Sequence, residues 1–105
     1  MVACYSGGDD FVTVSSSGSA LFRAGQIIHE GTHKHLYDGG WDEGADYQTH
    51  EMVAHYAEFQ FYRSFDVIAR RDPDLKKDYP WYVQRPNEFL TYVCSVRYQF
   101  NHCKP

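Results

Sequence analysis

His29 and His33 stand four residues apart with Glu30 between them, and that spacing constrains the chain more than any other feature. On a helix, residues four apart project from one face, so both imidazoles can reach a single metal ion while the glutamate meets the water bound to it. The flanking residues favour such a helix. Ser15-Ser16-Ser17-Gly18-Ser19 offers N-caps for Ala20-Leu21-Phe22, and Asp38-Gly39-Gly40 offers a stop. The pattern predicts a helix from about Ser19 to about Tyr37, with Phe22, Gln26, His29, His33 and Leu36 or Tyr37 on one face. Ile27-Ile28 is an apolar pair suited to its buried side.

Phe11-Val12-Thr13-Val14 is β-branched and aromatic and follows the turn-forming Gly7-Gly8-Asp9-Asp10, which predicts a short strand ahead of the helix. Residues 38–46 carry three glycines and four acids and read as a loop. A second helix is predicted from about Tyr47 to about Arg70, with Ala54, Ala57, Phe61 and Phe65 on one face and Asp72-Pro73-Asp74 closing it. Residues 74–86, with Tyr79, Trp81 and Tyr82 among prolines, read as an irregular or short-helical connection that lays aromatics over the core. From Pro86 to about Asn101 the stripe Phe89, Val93, Val96 and Phe100 suits a third helix, while Thr-Tyr-Val-Cys-Ser-Val also suits a strand. The expected fold class is therefore α+β, mostly helical, in a single domain spanning residues 1–105.

At 105 residues the chain supports one core, and a bound metal would add to its stability. Aromatic residues make up 17% of it, which argues against intrinsic disorder. Fourteen acidic against ten basic residues give a net charge of −4, with no Lys/Arg run longer than Arg70-Arg71 or Lys76-Lys77, so nucleic acid is a poor partner. No apolar stretch reaches the length of a membrane span, and the first residues lack the basic and apolar regions of a secretion signal. The expectation is a soluble chain, free to be exported as part of a longer polypeptide. Cys4, Cys94 and Cys103 include no Cys-x-x-Cys pair, which argues against both a disulfide framework and a thiolate zinc site, though a Cys94 to Cys103 bridge stays open.

A catalytic zinc takes three protein ligands and keeps a position for water, so the two histidines need a third partner. Glu51 and Glu58 on the second helix are the carboxylate candidates, two turns apart on nearly one face, so that only one is expected at the metal. His29-Glu30-Gly31-Thr32-His33 has the form His-Glu-x-x-His, and Glu51-Met52-Val53-Ala54 has the form Glu-x-x-Ala. On these two motifs, residues 11–65 resemble the gluzincins and related minimal zincin metallopeptidase domains, including those of toxin- and phage-associated proteins. The longer metzincin pattern fails, because Leu36 and Gly39 occupy the positions where it has Gly and His.

The resemblance implies a minimal zincin-like domain with an active-site helix, a ligand-bearing second helix and a bordering strand. It implies Zn2+ held by His29, His33 and Glu51, with Glu30 as general base. Where the thermolysin-like pattern has a supporting aspartate this chain has His55, which leaves Asp46 or Glu58 to support a zinc histidine. His55, Tyr56, Tyr92 and His102 are candidates to stabilise the oxyanion, with His55 favoured by its closeness to Glu51. His35 and His50 read as exposed companions. The expected activity is zinc-dependent hydrolysis of a peptide or protein substrate, as an effector or toxin domain with room for a protein inhibitor. The alternative is a zinc-binding regulatory or interaction domain without efficient turnover.

Overall fold

The computed structural model describes residues 17–40 and 47–96. Its helices are α1 (Ala20–Asp38), α2 (Tyr47–Arg63), α3 (Asp66–Arg71), α4 (Asp78–Gln84) and α5 (Pro86–Val96). Every regular element among the described residues is a helix, which corrects the α+β expectation to an all-helical globule. The strand expected at Phe11-Val12-Thr13-Val14 lies outside the described residues. Buried positions explain why the ambiguous segment 91–96 is helical. Phe89, Leu90, Val93 and Cys94 are all buried, a spacing that matches the helical repeat and not the alternation of a half-buried strand.

Helix α1 begins where its caps dictate. The Ser19 hydroxyl accepts from the Phe22 amide at 3.1 Å, and the Ser19 amide donates to Asp74 Oδ2 at 2.7 Å, tying the helix start to the loop before α4. At the other end the Gly39 and Gly40 amides donate to the His35 and Tyr37 carbonyls, and Gly40 turns the chain with a φ of +94°.

Helix α2 runs antiparallel to α1, as the pairing of their residues shows. Phe22 and Gln26 meet Tyr62 and Glu58, whereas His33, further along α1, meets Glu51 and His50 at the start of α2. The expected helix over 47–70 is broken after Arg63. The Phe65 amide donates to the Tyr62 carbonyl in a tighter turn, and the Ser64 hydroxyl donates to the Gln60 carbonyl. Tertiary contacts favour the bend. It places Ala69 in the core and sets Asp66 to accept from the Tyr79 hydroxyl at 2.6 Å and from Arg70.

The core lies between α2, α4 and α5, with Leu75 and Ala69 closing it. Phe59 sits at its centre, with ring centroids 4.7 Å from Phe89, 5.0 Å from Tyr62 and 5.2 Å from Tyr82. Such tilted and edge-on pairs add about 0.5–1.5 kcal/mol each beyond their buried area. The face expected to pack inward is displaced by part of a turn. Ala54 is buried, but Phe61 is half-buried and Phe65 is exposed, and Phe59 and Tyr62 take the central positions. On α1 the pair Ile27-Ile28 is likewise exposed and not buried, because the inward face of that helix is given to polar residues.

Candidate metal centre

Polar and titratable side chains fill the seam between α1 and α2. His29, Glu30 and His33 come from α1, and His50, Glu51, His55 and Glu58 from α2, each of them 1–5% exposed. Helical spacing assembles them: His29 and His33 are one turn apart, as are Glu51 and His55, and Glu58 follows one turn later. Antiparallel packing then turns the two rows toward each other.

The Glu51 carboxylate is the centre of the cluster. Its Oε1 lies 2.8 Å from His29 Nε2 and 3.1 Å from His55 Nε2, and its Oε2 lies 3.0 Å from His33 Nε2. Glu30 Oε2 is 3.6 Å from the same His29 Nε2. Behind the cluster Glu58 Oε1 is 2.9 Å from His29 Nδ1 and 3.6 Å from His55 Nδ1. Glu58 Oε2 accepts from the Tyr62 hydroxyl at 2.6 Å and from Gln26 Nε2 at 3.1 Å. On the far side His33 Nδ1 and His50 Nδ1 are 2.7 Å apart in nearly parallel rings. Gly25 leaves room for this scaffold, since any side chain there would collide with the Tyr62 hydroxyl and ring.

Burying so many ionisable groups is costly unless they are paired or hold a metal. Burial by itself disfavours an imidazolium at His29, but Glu51 and Glu58 on either side outweigh it and raise its pKa to about 10. Burial likewise opposes charge on Glu58, yet His29 and His55 hold its carboxyl down at about 2. Glu51 is driven further below the usual carboxylate range: burial opposes its charge, and His29, His33 and His55 overcome that. Burial and the Glu58 carboxylate together push the Tyr62 hydroxyl well above its ordinary value. The seam thus holds the Glu51 and Glu58 carboxylates in their charged form through the histidines packed against them.

The donor set fits a divalent transition metal. His29 Nε2 and both ring nitrogens of His55 are buried without a hydrogen bond, although carboxylate oxygens lie close. Short contacts without hydrogen-bond alignment are what lone pairs aimed at a shared third point produce. Ligands of a tetrahedral zinc, at about 2.0–2.1 Å from the ion, are about 3.3 Å from each other, close to the separations seen here. One ligand atom each from His29, Glu51 and His55 lies within 4.8 Å of the other two. Two imidazoles and a carboxylate suit zinc, whereas magnesium and calcium sites are built from oxygens.

The structure brings most of the residues singled out by sequence into the seam. His29, His33 and Glu51 converge, Glu30 lies beside them, and His55 sits among the candidate ligands. His50, expected to be exposed, is 1% exposed against His33, while His35 is exposed as expected. Glu58 is a buried partner of His29. Sequence reasoning missed Gln26 and Tyr62 as partners of Glu58. Their signal was modest, since Tyr62 is one turn after Glu58 and Gln26 one turn before His29. Tyr56 and Tyr92 are exposed, at 50% and 44%. Asp46 and His102 lie outside the described residues. No family model matches the chain, and no curated protein and no solved structure matches it either.

Proposed function

We propose that this chain is a zinc-dependent hydrolase of peptide bonds, with the metal held in the seam between α1 and α2. The observation that carries this reading is the Glu30 carboxylate, buried and 3.6 Å from His29 Nε2, beside the nitrogen that faces the candidate metal position. A stability-only site gains nothing from an additional carboxylate next to its ligands. Zinc, when bound, supplies a Lewis acid for the scissile carbonyl and lowers the pKa of water toward about 7. Glu30 accepts the proton of the attacking water and delivers it to the leaving nitrogen as the C–N bond breaks. Glu58, itself fixed by Tyr62 and Gln26, takes the His29 Nδ1 proton in a hydrogen bond and keeps Nε2 available to the metal.

A second reading, a zinc-binding domain without turnover, draws support from the depth of the seam. Every donor is at most 5% exposed, and three histidines lie within 3.1 Å of the Glu51 carboxylate, a depth that suits a closed structural site. Metal analysis of the purified protein, combined with a peptide-library cleavage screen of the parent and its Glu30→Gln variant, separates the two. The hydrolase reading expects about one zinc per chain in both proteins and cleavage by the parent alone. The amide of the variant keeps the volume and a hydrogen bond to water but cannot take a proton. A parent that holds zinc and cuts nothing favours the second reading, and a parent without zinc overturns both.

A further inference from the structure

We propose that His55, and not His33, is the third protein ligand, so that the metal is held by His29 Nε2, Glu51 Oε1 and His55 Nε2 while His33 and His50 form a brace behind Glu51. This rests on the reading of the seam as a metal centre. It departs from the ligand set that the His-Glu-x-x-His motif implies.

Three observations converge. First, the two oxygens of Glu51 face different groups. Oε1 lies against His29 Nε2 at 2.8 Å and His55 Nε2 at 3.1 Å, whereas Oε2 lies against His33 Nε2 at 3.0 Å. His29 and His55 thus share one oxygen of the carboxylate, and His33 faces the other. Second, the two histidines differ in what already engages them. Both ring nitrogens of His55 are buried without a hydrogen bond, but His33 Nδ1 is paired with His50 Nδ1 at 2.7 Å. That contact engages one ring nitrogen of His33, whereas neither ring nitrogen of His55 is engaged by a hydrogen bond. Third, the rings of His29 and His55 are closer, with centroids 4.3 Å apart, than those of His29 and His33 at 5.0 Å. One ligand atom each from His29, Glu51 and His55 also lies within 4.8 Å of the other two.

Helical geometry makes both choices available, because Glu51 and His55 are spaced by four on α2 as His29 and His33 are on α1. The engagement of the two histidines decides between them: His50 pairs with His33 through their Nδ1 atoms, while Glu58 lies behind His29 and His55 and leaves the His55 nitrogens without a hydrogen bond.

The experiment uses the full chain, stripped by chelation and reloaded with zinc in competition with a chromogenic chelator. His55→Ala is expected to lose more than about 100-fold in affinity, and His33→Ala about 10-fold, as for the loss of an outer partner. A larger loss in His33→Ala, or equal losses in the two, overturns the assignment. Because either variant could also disturb folding, the wild-type chain loaded with spin-active cadmium provides a second measurement. Scalar coupling from the metal to ring protons of His29 and His55, and none to His33, is the expected result. Coupling to His33 overturns it. Wild-type protein that takes up neither zinc nor cadmium overturns the metal centre itself, an outcome distinct from a centre that uses His33.

Discussion

Helix α2 borders two buried regions of opposite chemistry. Its Phe59 and Tyr62 pack among Tyr79, Tyr82, Phe89 and Val93, while its His50, Glu51, His55 and Glu58 face α1 and its histidines. The aromatic side is stabilised by removing apolar area from water, at about 25 cal/mol per Å2, and needs no partner beyond the chain. The polar side contributes to stability only through the pairing of its charges, since each group left alone there would cost several kcal/mol. One side therefore maintains the fold and the other is maintained by it. Tyr62 joins them, its ring against Phe59 and its hydroxyl on Glu58.

The sharpest way to break this contrast is to remove the carboxylate at the centre of the polar side. Glu51→Ala is expected to lower zinc affinity by more than about 100-fold, and Glu58→Ala by about 10–100-fold, because Glu58 reaches the metal only through His29. Zinc titration against a competing chelator measures both. The reverse order would move the ligand role to Glu58 and invert the roles assigned to the two acids.

A substitution on the aromatic side should leave the metal alone. Phe89, fully buried against Phe59 and Trp81, is expected to cost about 3–5 kcal/mol when replaced by Ala. Chelation should lower the melting temperature of the parent and of Phe89→Ala by similar amounts, since the two losses arise at separate sites and add. Chelation without effect on either protein would show that the polar side is held by its own ion pairs and needs no metal. A Phe89→Ala chain that also fails to bind zinc would show the two regions to be one cooperative unit.

How much of this could be read from the sequence follows the same division. The start and stop of α1 were legible, because Ser19 and Gly39-Gly40 act through local backbone geometry. So was the convergence of His29, His33 and Glu51, since one helical period places each row and a short connection brings the rows together. The burial of His50 was not legible. Nothing in its neighbours distinguishes it from His35, and only the packing of α2 on α1 brings it against His33. The same holds for the break after Arg63, where no glycine or proline marks the bend and the contact of Asp66 with Tyr79 favours it. The strand in the expected fold class was placed at residues 11–14, outside the described residues. In segment 91–96, where local β propensity left a strand as the alternative to a helix, helical packing of Phe89, Leu90, Val93 and Cys94 overrides it.

The smallest expected effect tests the most counterintuitive face. Ile27 precedes the metal motif and reads as a core residue, yet it is 53% exposed, because α1 turns its polar residues inward. Replacing a half-exposed isoleucine by glutamine removes little buried area, and surface changes of this kind usually fall within about 0.5 kcal/mol. Ile27→Gln should therefore melt with the parent and bind zinc with the same affinity. Gln26, its neighbour, instead donates to Glu58 within the seam, so Gln26→Leu should weaken zinc binding while Ile27→Gln does not. A destabilisation by Ile27→Gln of the size expected for a core position would mean that α1 is rotated in solution, with the isoleucines inward. In that case the histidines could not face α2, and the contrast between the two sides of that helix would fail at its origin.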